Sequence, residues 1–180
     1  DVHALAAALP NVQELILSEN LLSDWNEVVD VVVALPTITT LNLRKNYFYN
    51  ATAHSLEREG LSASNVKVLI LNDTHIDENV IATLARSPLF SQMTHLHLAK
   101  NHLTTLPLPL PLSSLQHLQF LDLSVNSLSD WASVLQFRSL THLHTLYLGT
   151  NALPDTPLPP SDLIPITTTN NNNNNNNSNN

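Results

Sequence analysis

Six copies of one leucine pattern, spaced 25 to 28 residues apart, constrain the fold of this chain more than any other feature. Each copy has apolar residues at positions 0, 3, 5 and 10, counted from its first residue, and five copies have asparagine at position 8. The copies begin at residues 12, 38, 66, 93, 118 and 143. Because six copies in one register do not arise by chance, the chain is built from a repeated structural unit.

The pattern, L-x-x-L-x-L-x-x-N-x-L, identifies the copies as leucine-rich repeats. Positions 3 and 5 alternate as a short strand with one buried face requires, and the asparagine can bind backbone groups that the following turn leaves unpaired. One repeat cannot bury its leucines alone, so neighbours must stack. The sequence predicts an α/β fold: a solenoid of six repeats with a parallel concave sheet and helical or extended convex segments. Its strands are centred on Leu15, Leu41, Leu69, Leu96, Leu121 and Leu146.

The third repeat departs from the pattern, because Thr74 takes the place of the asparagine. A threonine hydroxyl carries one proton, whereas an asparagine amide carries two. We therefore expect a weaker ladder of side-chain hydrogen bonds at this repeat.

The segments that connect the strands are predicted from local signals. The two tryptophans, Trp25 and Trp131, each follow the letters L-S-D, in which the serine or the aspartate can cap a helix and the tryptophan is its first apolar residue. Asp77 predicts a third helix start in the segment 76–84. Leucine and proline alternate over residues 106–112, which excludes a helix there. We predict an extended connector with its leucines on the core; a ligand for an SH3-type domain is the alternative.

Composition changes after Leu153. A proline-rich stretch is followed by a tract of asparagine interrupted only by Ser178. Such a tract cannot bury enough apolar surface to fold. The sequence therefore predicts three parts: a repeat domain over residues 1–153, a linker over 154–169 and a disordered tail over 170–180.

Charge and cysteine content exclude several classes of function. The chain has 7 basic and 15 acidic residues, a net charge of −8, which argues against binding the phosphates of nucleic acid. It contains no cysteine, so it has neither disulfides nor zinc-thiolate sites. We find neither a signal peptide nor an apolar run long enough to span a membrane. We expect a monomeric cytoplasmic protein that binds another protein, with no nucleic acid and no membrane among its partners.

Histidines are the main candidates for chemistry. His95 and His97 lie two residues apart on the fourth strand, so they point to the same face and could both ligate a metal. The neighbouring strands offer only Asn72, Asp73 and Asp122 as further ligands, so we expect contact residues without a metal. No nucleophile has a base at a recognisable spacing, and we predict no catalytic residues, no cofactor and no enzymatic activity.

The predicted working surface is the concave sheet, because the repeat pattern leaves its outward residues, at positions 2, 4, 6 and 7, free to vary. Ala99, at position 6 of the fourth repeat, is among the residues expected to be exposed. Several of them are apolar or aromatic where a solvated sheet is usually polar, which suits a protein partner. Incidental exposure on a solvated sheet is the alternative. The predicted partner-binding residues are Ile16, Glu19, Asn42, Arg44, Lys45, Ile70, Asn72, Asp73, His95, His97, Lys100, Phe120, Asp122 and Tyr147.

One stretch is more specific than a generic repeat. The segments PNVQELILSENLLSDWNEVV (10–29), LNLRKNYF (41–48) and VKVLILNDTHID (66–77) resemble the leucine-rich-repeat region of tubulin-binding cofactor E, and Thr74 fits that resemblance. The resemblance covers residues 10–103; the later repeats match only the generic motif.

The resemblance implies a cytosolic tubulin chaperone that captures α-tubulin and helps to assemble or take apart the α/β heterodimer. That family also carries a glycine-rich microtubule-binding domain before the repeats and a ubiquitin-like domain after them. The 180 residues contain neither, so we expect a fragment of a longer cofactor or a reduced relative. The alternative is a generic intracellular leucine-rich-repeat scaffold or regulatory adaptor with another protein partner. The absence of cysteine caps disfavours an extracellular recognition module.

Overall fold

A computed structural model describes residues 2–48 and 53–155, which form a single stacked array of repeats. Six three-residue strands make one parallel sheet in the order of the chain: β1 (Glu14–Ile16), β2 (Thr40–Asn42), β3 (Val68–Ile70), β4 (His95–His97), β5 (Phe120–Asp122) and β6 (Thr145–Tyr147). Every strand pairs with the next in the same register, so Leu15, Leu41 and Leu69 are direct neighbours, as are Leu96, Leu121 and Leu146. The predicted strands and their parallel order are confirmed.

The core lies on one side of this sheet. The leucines at position 5 of the four central repeats are almost fully buried, as are those at position 3. In the first and last described repeats the same positions, Leu15, Leu17, Leu146 and Leu148, are only half-buried, because the described residues supply a neighbouring repeat on one side only. An apolar pocket of about 370 Å³ opens at the first repeat, between Leu17, Leu22 and Val28.

Four helices cover the convex side or precede the repeats: α1 (Val2–Ala8), α2 (Trp25–Ala34), α3 (Glu78–Arg86) and α4 (Trp131–Leu135). Short 3₁₀ helices fill the remaining convex positions at Ala53–Glu57, Pro88–Phe90, Leu112–Leu115 and Gln136–Ser139. The sequence pattern did not predict α1, which lies outside the repeat register and packs against α2.

Aspartates cap the three convex helices, and of the two predicted candidates before the first helix, Ser23 and Asp24, the cap is Asp24. The side chain of Asp24 accepts from Asn26 N, that of Asp77 from Asn79 N and Val80 N, and that of Asp130 from Ser133 N. Each carboxylate serves backbone N–H groups that have no partner within the helix, and its negative charge faces the positive end of the helix dipole.

The two tryptophans occupy equivalent places but different environments. Trp25 is fully buried, with its ring centroid 4.6 Å from that of Phe48 in the next repeat. Trp131 is half-buried, and its indole N–H donates to Pro154 O at 3.1 Å. The residue equivalent to Phe48 in the repeat after Trp131 is Leu153, which is smaller and itself only half-buried, so Trp131 is less completely covered.

The proline-rich connector of the fourth repeat forms no helix over residues 104–111. Leu106, Leu110 and Leu112 reach the core, as predicted. Leu108 does not: it is 57% exposed, so the prediction that all four leucines touch the core is wrong at this residue. The four leucines occupy every second residue, which puts them all on one side only if the chain runs straight. The chain bends at residues 108 and 109.

A ladder of buried asparagines joins successive repeats. The Nδ2 of Asn101 donates to Leu98 O of its own repeat at 3.0 Å and to Leu71 O of the preceding repeat at 2.8 Å. Asn46, Asn126 and Asn151 bridge two repeats in the same way. Each amide therefore satisfies two backbone carbonyls that the turn after the strand leaves without a partner.

The ladder is weaker at Thr74, as the sequence predicts. Its hydroxyl donates to Leu71 O of its own repeat at 2.7 Å, and one proton cannot also serve the carbonyl of the preceding repeat. A backbone hydrogen bond still links the two repeats here, because Phe48 N of the second repeat donates to Thr74 O of the third at 2.9 Å.

The predicted boundaries of the linker and tail stay predictions, because only Pro154 and Asp155 of those segments belong to the described residues. Among the described residues, no helix combines the length and the apolar character that crossing a membrane requires.

Replacing Leu96 by alanine should lower the free energy of unfolding by ~2–5 kcal/mol, because its side chain is 2% exposed at the centre of the array. Leu21→Ala is the matched control, since Leu21 is 85% exposed, and it should cost less than ~0.5 kcal/mol. Urea unfolding followed by circular dichroism measures both. Equal effects would show that the register is wrong.

Replacing Asn101 by alanine should cost ~2–4 kcal/mol, because two buried carbonyls lose their donor and Thr74 N loses the Oδ1 acceptor at 2.9 Å. The described residues include no repeat before Asn20 for it to bridge, and its exposed amide donates to Leu17 O and Ser18 O. Asn20→Ala should therefore cost less than ~1 kcal/mol in the same urea titration. A loss at Asn20 as large as that at Asn101 would contradict the bridging role.

Candidate functional site

The candidate site is the sheet face turned away from the leucine core, here called the open face. Two rows of side chains cross it in register. The row at position 2 of the repeats is Glu14, Thr40, Val68, His95, Phe120 and Thr145, and the row at position 4 is Ile16, Asn42, Ile70, His97, Asp122 and Tyr147. The other predicted residues, Glu19, Arg44, Lys45, Asn72, Asp73 and Lys100, lie in the turns that follow the strands. All fourteen predicted residues therefore lie along one side of the molecule.

The turns share one unusual backbone conformation. The residue at position 7 has φ between 54° and 59° in every repeat, although none of the six is glycine: Glu19, Lys45, Asp73, Lys100, Val125 and Thr150. This left-handed conformation costs free energy for residues with a Cβ, most of all for the β-branched Val125 and Thr150. The stacked repeats hold it in place, and it fixes the direction in which these side chains leave the sheet.

An aromatic cluster forms the carboxyl-terminal half of the open face. Its centre is the ring of Phe120, whose centroid lies 5.6 Å from that of His95 and 4.8 Å from that of His97. Tyr147 completes the cluster with its ring edge-on to Phe120 at 5.1 Å, and 53% of this tyrosine is exposed. Rings that already contact one another present a rigid apolar surface whose ordering on binding costs little entropy.

Burial lowers the pKa of His97 below its ordinary value of 6.5. The nearby His95 acts in the same direction, whereas the negative charge of Asp122 opposes the shift. At neutral pH the imidazole of His97 is therefore uncharged, and it contributes a ring rather than a cation to the cluster.

Asp122 is the acidic residue in the two side-chain rows of this half of the open face. It lies between His97 and Tyr147 in the row at position 4. Its Oδ1 accepts from Ser124 N at 2.9 Å and from Ser124 Oγ at 2.6 Å, so the carboxylate is held in one orientation. Among the described residues the ion pairs are Lys45–Glu19, Arg58–Asp30 and Arg86–Glu57, so Asp122 has no cationic partner there.

The amino-terminal half of the open face is more polar. Ile16 is 58% exposed and Ile70 is half-buried. Lys45 Nζ binds Glu19 Oε1 at 2.6 Å, and this hydrogen bond lowers the pKa of Glu19. Both partners are well exposed, so the pair contributes little to stability.

Two predicted contact residues, Asn42 and Asn72, also stabilise the turns through side-chain hydrogen bonds. Asn42 Oδ1 accepts from Arg44 N at 3.1 Å, and Asn72 Oδ1 accepts from Ala99 N at 2.9 Å. Their side-chain oxygens accept hydrogen bonds from the turns, so the amide N–H groups remain for a partner.

Ala99, expected to face outward at position 6, is only 8% exposed because the neighbouring turn covers it.

A second row of rings lies at the edge of the sheet, one residue beyond the asparagine ladder. Tyr47 and His75 stack at 5.6 Å, and His75 and His102 stack at 6.1 Å. The sequence-based prediction missed this row. The signal was present, since position 9 of the second, third and fourth repeats carries a ring each time.

The described residues contain no group of three or more histidine, aspartate or glutamate side chains placed to hold a metal ion. His95 and His97 instead place their rings against Phe120. The expectation that the domain binds no transition metal tightly stays a prediction. His117 and His142, each one residue before the first leucine of its repeat, have ring centroids 6.1 Å apart, and both residues are exposed.

Comparison with curated proteins finds relatives that are all named as tubulin-folding cofactors or tubulin-specific chaperones. The chain is 34% identical over 132 residues to tubulin-folding cofactor E of Arabidopsis thaliana, which is 72% of this chain and 24% of the plant protein. It is 33% identical over 127 residues to human tubulin-specific chaperone E, covering 70% of this chain and 23% of that protein. The human tubulin-specific chaperone cofactor E-like protein is 34% identical over 137 residues, 74% of this chain and 30% of the relative. The chain thus spans about a quarter of the length of these relatives.

Solved structures with the same fold are leucine-rich-repeat proteins. Human 5T4, a trophoblast glycoprotein, superposes with a TM-score of 0.64 at 30% identity over 79% of this chain and 52% of its own. An internalin of Listeria monocytogenes superposes with a TM-score of 0.58 at 27% identity over 82% of this chain and 37% of its own. No model of a protein family matches the chain.

Acidification should destabilise the domain in part through His97. The unfolded chain protonates this residue as the pH falls below about 6.5, whereas the folded chain resists, so stability is lost through that range and levels off below the lowered pKa. The groups that face it are His95, Asp122 and the ring of Phe120.

Urea unfolding at pH of about 7.5 and about 5 measures this effect, since these values bracket the histidine titration. His97→Gln should lose less stability between the two pH values than the wild-type chain. His117→Gln, on the exposed outer side, should keep the wild-type dependence. Identical pH dependence in all three proteins would contradict the assignment.

Proposed function

Since the chain is a leucine-rich-repeat protein homologous to tubulin-specific chaperone E, we propose that it is the tubulin-binding part of a cytosolic tubulin-folding cofactor. It binds α-tubulin while the α/β heterodimer is assembled or taken apart. The observation that carries the proposal is the 34% identity over 72% of the chain, a span too long to lie outside the repeats. A relative named for tubulin folding is thus similar to this chain in the repeat array itself.

The aromatic cluster supports the open face as the binding surface. Interfaces between proteins depend on a few large side chains, often aromatic, that become buried in the complex. Phe120 and Tyr147 are already held by ring contacts, and Tyr147 still has half of its surface exposed. Burying this preorganised apolar patch releases water without a large loss of side-chain freedom.

The charged turn residues have a different role in this proposal. Arg44, Lys45 and Lys100 are exposed at the rim of the open face, where water still reaches them in a complex. Charges at a rim influence how fast the partners associate and how that rate depends on salt, more than the final affinity. The function is binding rather than catalysis, and the chain acts as a monomer without nucleic acid or membrane.

The double variant Phe120→Ala with Tyr147→Ala should weaken tubulin capture by about 30-fold or more, because truncating a buried aromatic anchor commonly costs ~2 kcal/mol or more. The measurement is binding of purified α/β-tubulin to the immobilised chain, with circular dichroism to check that each variant folds.

The control is His117→Ala with His142→Ala, which removes a contacting pair of rings on the opposite side. It should bind tubulin as the wild-type chain does. Equal binding by the two double variants would place the site away from the open face. A wild-type chain that binds no tubulin would reject the proposed function and favour a repeat adaptor with another protein partner.

A further inference from the structure

We infer that Asp122, Phe120 and Tyr147 together form a recognition site for an arginine side chain of the protein partner. The inference rests on the proposed function in one respect, because tubulin is taken as the partner that supplies the arginine. The site itself is argued from the three residues and their neighbours.

The three side chains meet because of the sheet register. Asp122 and Tyr147 are direct neighbours on β5 and β6, in the row at position 4. Phe120 precedes Asp122 by two residues on β5, so both point to the open face, and its ring contacts Tyr147 edge-on at 5.1 Å. A carboxylate is thereby set beside two aromatic rings, one of which stands at a steep angle of 70° to the other.

The carboxylate is oriented and has binding capacity to spare. Both hydrogen bonds from Ser124 go to Oδ1. Within the described part of the chain, Oδ2 has no donor and the carboxylate has no ion pair. An ionised carboxylate accepts several hydrogen bonds, so a cationic donor can be added without displacing the contacts that hold the turn.

Within the described residues no cation is paired with this charge: Lys100 lies on the neighbouring turn, where its backbone N donates to Ser124 O at 3.2 Å, but its ammonium forms no ion pair with Asp122. His97 lies beside Asp122 in the same row, and burial keeps its pKa below 6.5, so it is uncharged at neutral pH. The chain as a whole is acidic, with a net charge of −8. The local and overall charges therefore favour a cation over a carboxylate or phosphate group.

Arginine fits the site better than lysine does. Its planar guanidinium stacks on aromatic faces and donates to a carboxylate in the same plane, and it is less strongly hydrated than an ammonium group. The cluster offers both features side by side: the ring of Tyr147, which Phe120 holds in place and which is 53% exposed, and the unused oxygen of Asp122. Lysine would keep the charge interaction and lose the planar stacking.

The first test needs no partner protein. N-acetyl-arginine-methylamide is titrated into the full chain, and ring signals of Phe120 and Tyr147 are followed by NMR. We expect saturable shifts at these rings, absent in Asp122→Asn, with the lysine analogue weaker and the uncharged citrulline analogue without effect. No shifts with the arginine probe, equal shifts with citrulline, or tighter binding of lysine would each overturn the inference.

The second test uses purified α/β-tubulin and two variants that each remove one negative charge. Asp122→Asn keeps an oxygen for the Ser124 hydrogen bonds, so it should fold normally while tubulin affinity falls about tenfold. Glu59→Gln, on the exposed connector after β2, should change the affinity less than about twofold.

The two proposals fail differently. If tubulin binds the wild-type chain and Asp122→Asn equally well, an arginine contact with tubulin at Asp122 is overturned while the proposed function stands. If tubulin does not bind the wild-type chain at all, the proposed function is rejected, and the arginine titration alone decides whether the site exists.

Discussion

The buried asparagine ladder is the interaction on which the rest of the structure depends. Every strand ends in a turn whose position 7 has a positive φ, and such a turn leaves carbonyls pointing into the core. An unpaired buried carbonyl costs as much as a lost hydrogen bond, so the turn is stable only where a donor reaches it. The amide of Asn126 supplies one proton to its own repeat and one to the preceding repeat, which fixes the spacing and register of both.

That register creates the candidate site. Phe120 and Tyr147 are 27 residues apart in the chain, and their rings meet only because β5 and β6 pair without any offset. A shift of one residue would turn one of them into the core. The same leucines and asparagines that fold the array therefore place the aromatic cluster and Asp122 side by side. Phenylalanine, tyrosine, histidine and aspartate, which form the site, are not residues of the repeat motif.

The parts of the fold that could be predicted from the sequence are those with a local or periodic cause. The leucine pattern predicts the strands, and Asp24, Asp77 and Asp130 predict helix starts because each cap acts within three residues. The exposure of Leu108 and the burial of Ala99 were not predictable in this way. They depend on how the connector bends and how the next turn covers the sheet, and neither leaves a period in the sequence.

The candidate site can likewise be divided into a part that the sequence predicts specifically and a part that it does not. From the sequence the cofactor family is recognisable over residues 10–103, whereas Phe120, Asp122 and Tyr147 lie in repeats that show only the generic motif. The 132-residue match to the plant cofactor extends the similarity as far as Phe120 and Asp122. In a solenoid each repeat packs on its neighbours, and the two halves of the open face are joined where β3 pairs with β4. The six strands span five spacings of about 4.8 Å, so a partner that contacts Ile16 and Tyr147 together must extend over roughly 24 Å. An extended segment of about seven residues reaches that far, so a partner covers the whole open face either with such a segment or with a folded surface of that width.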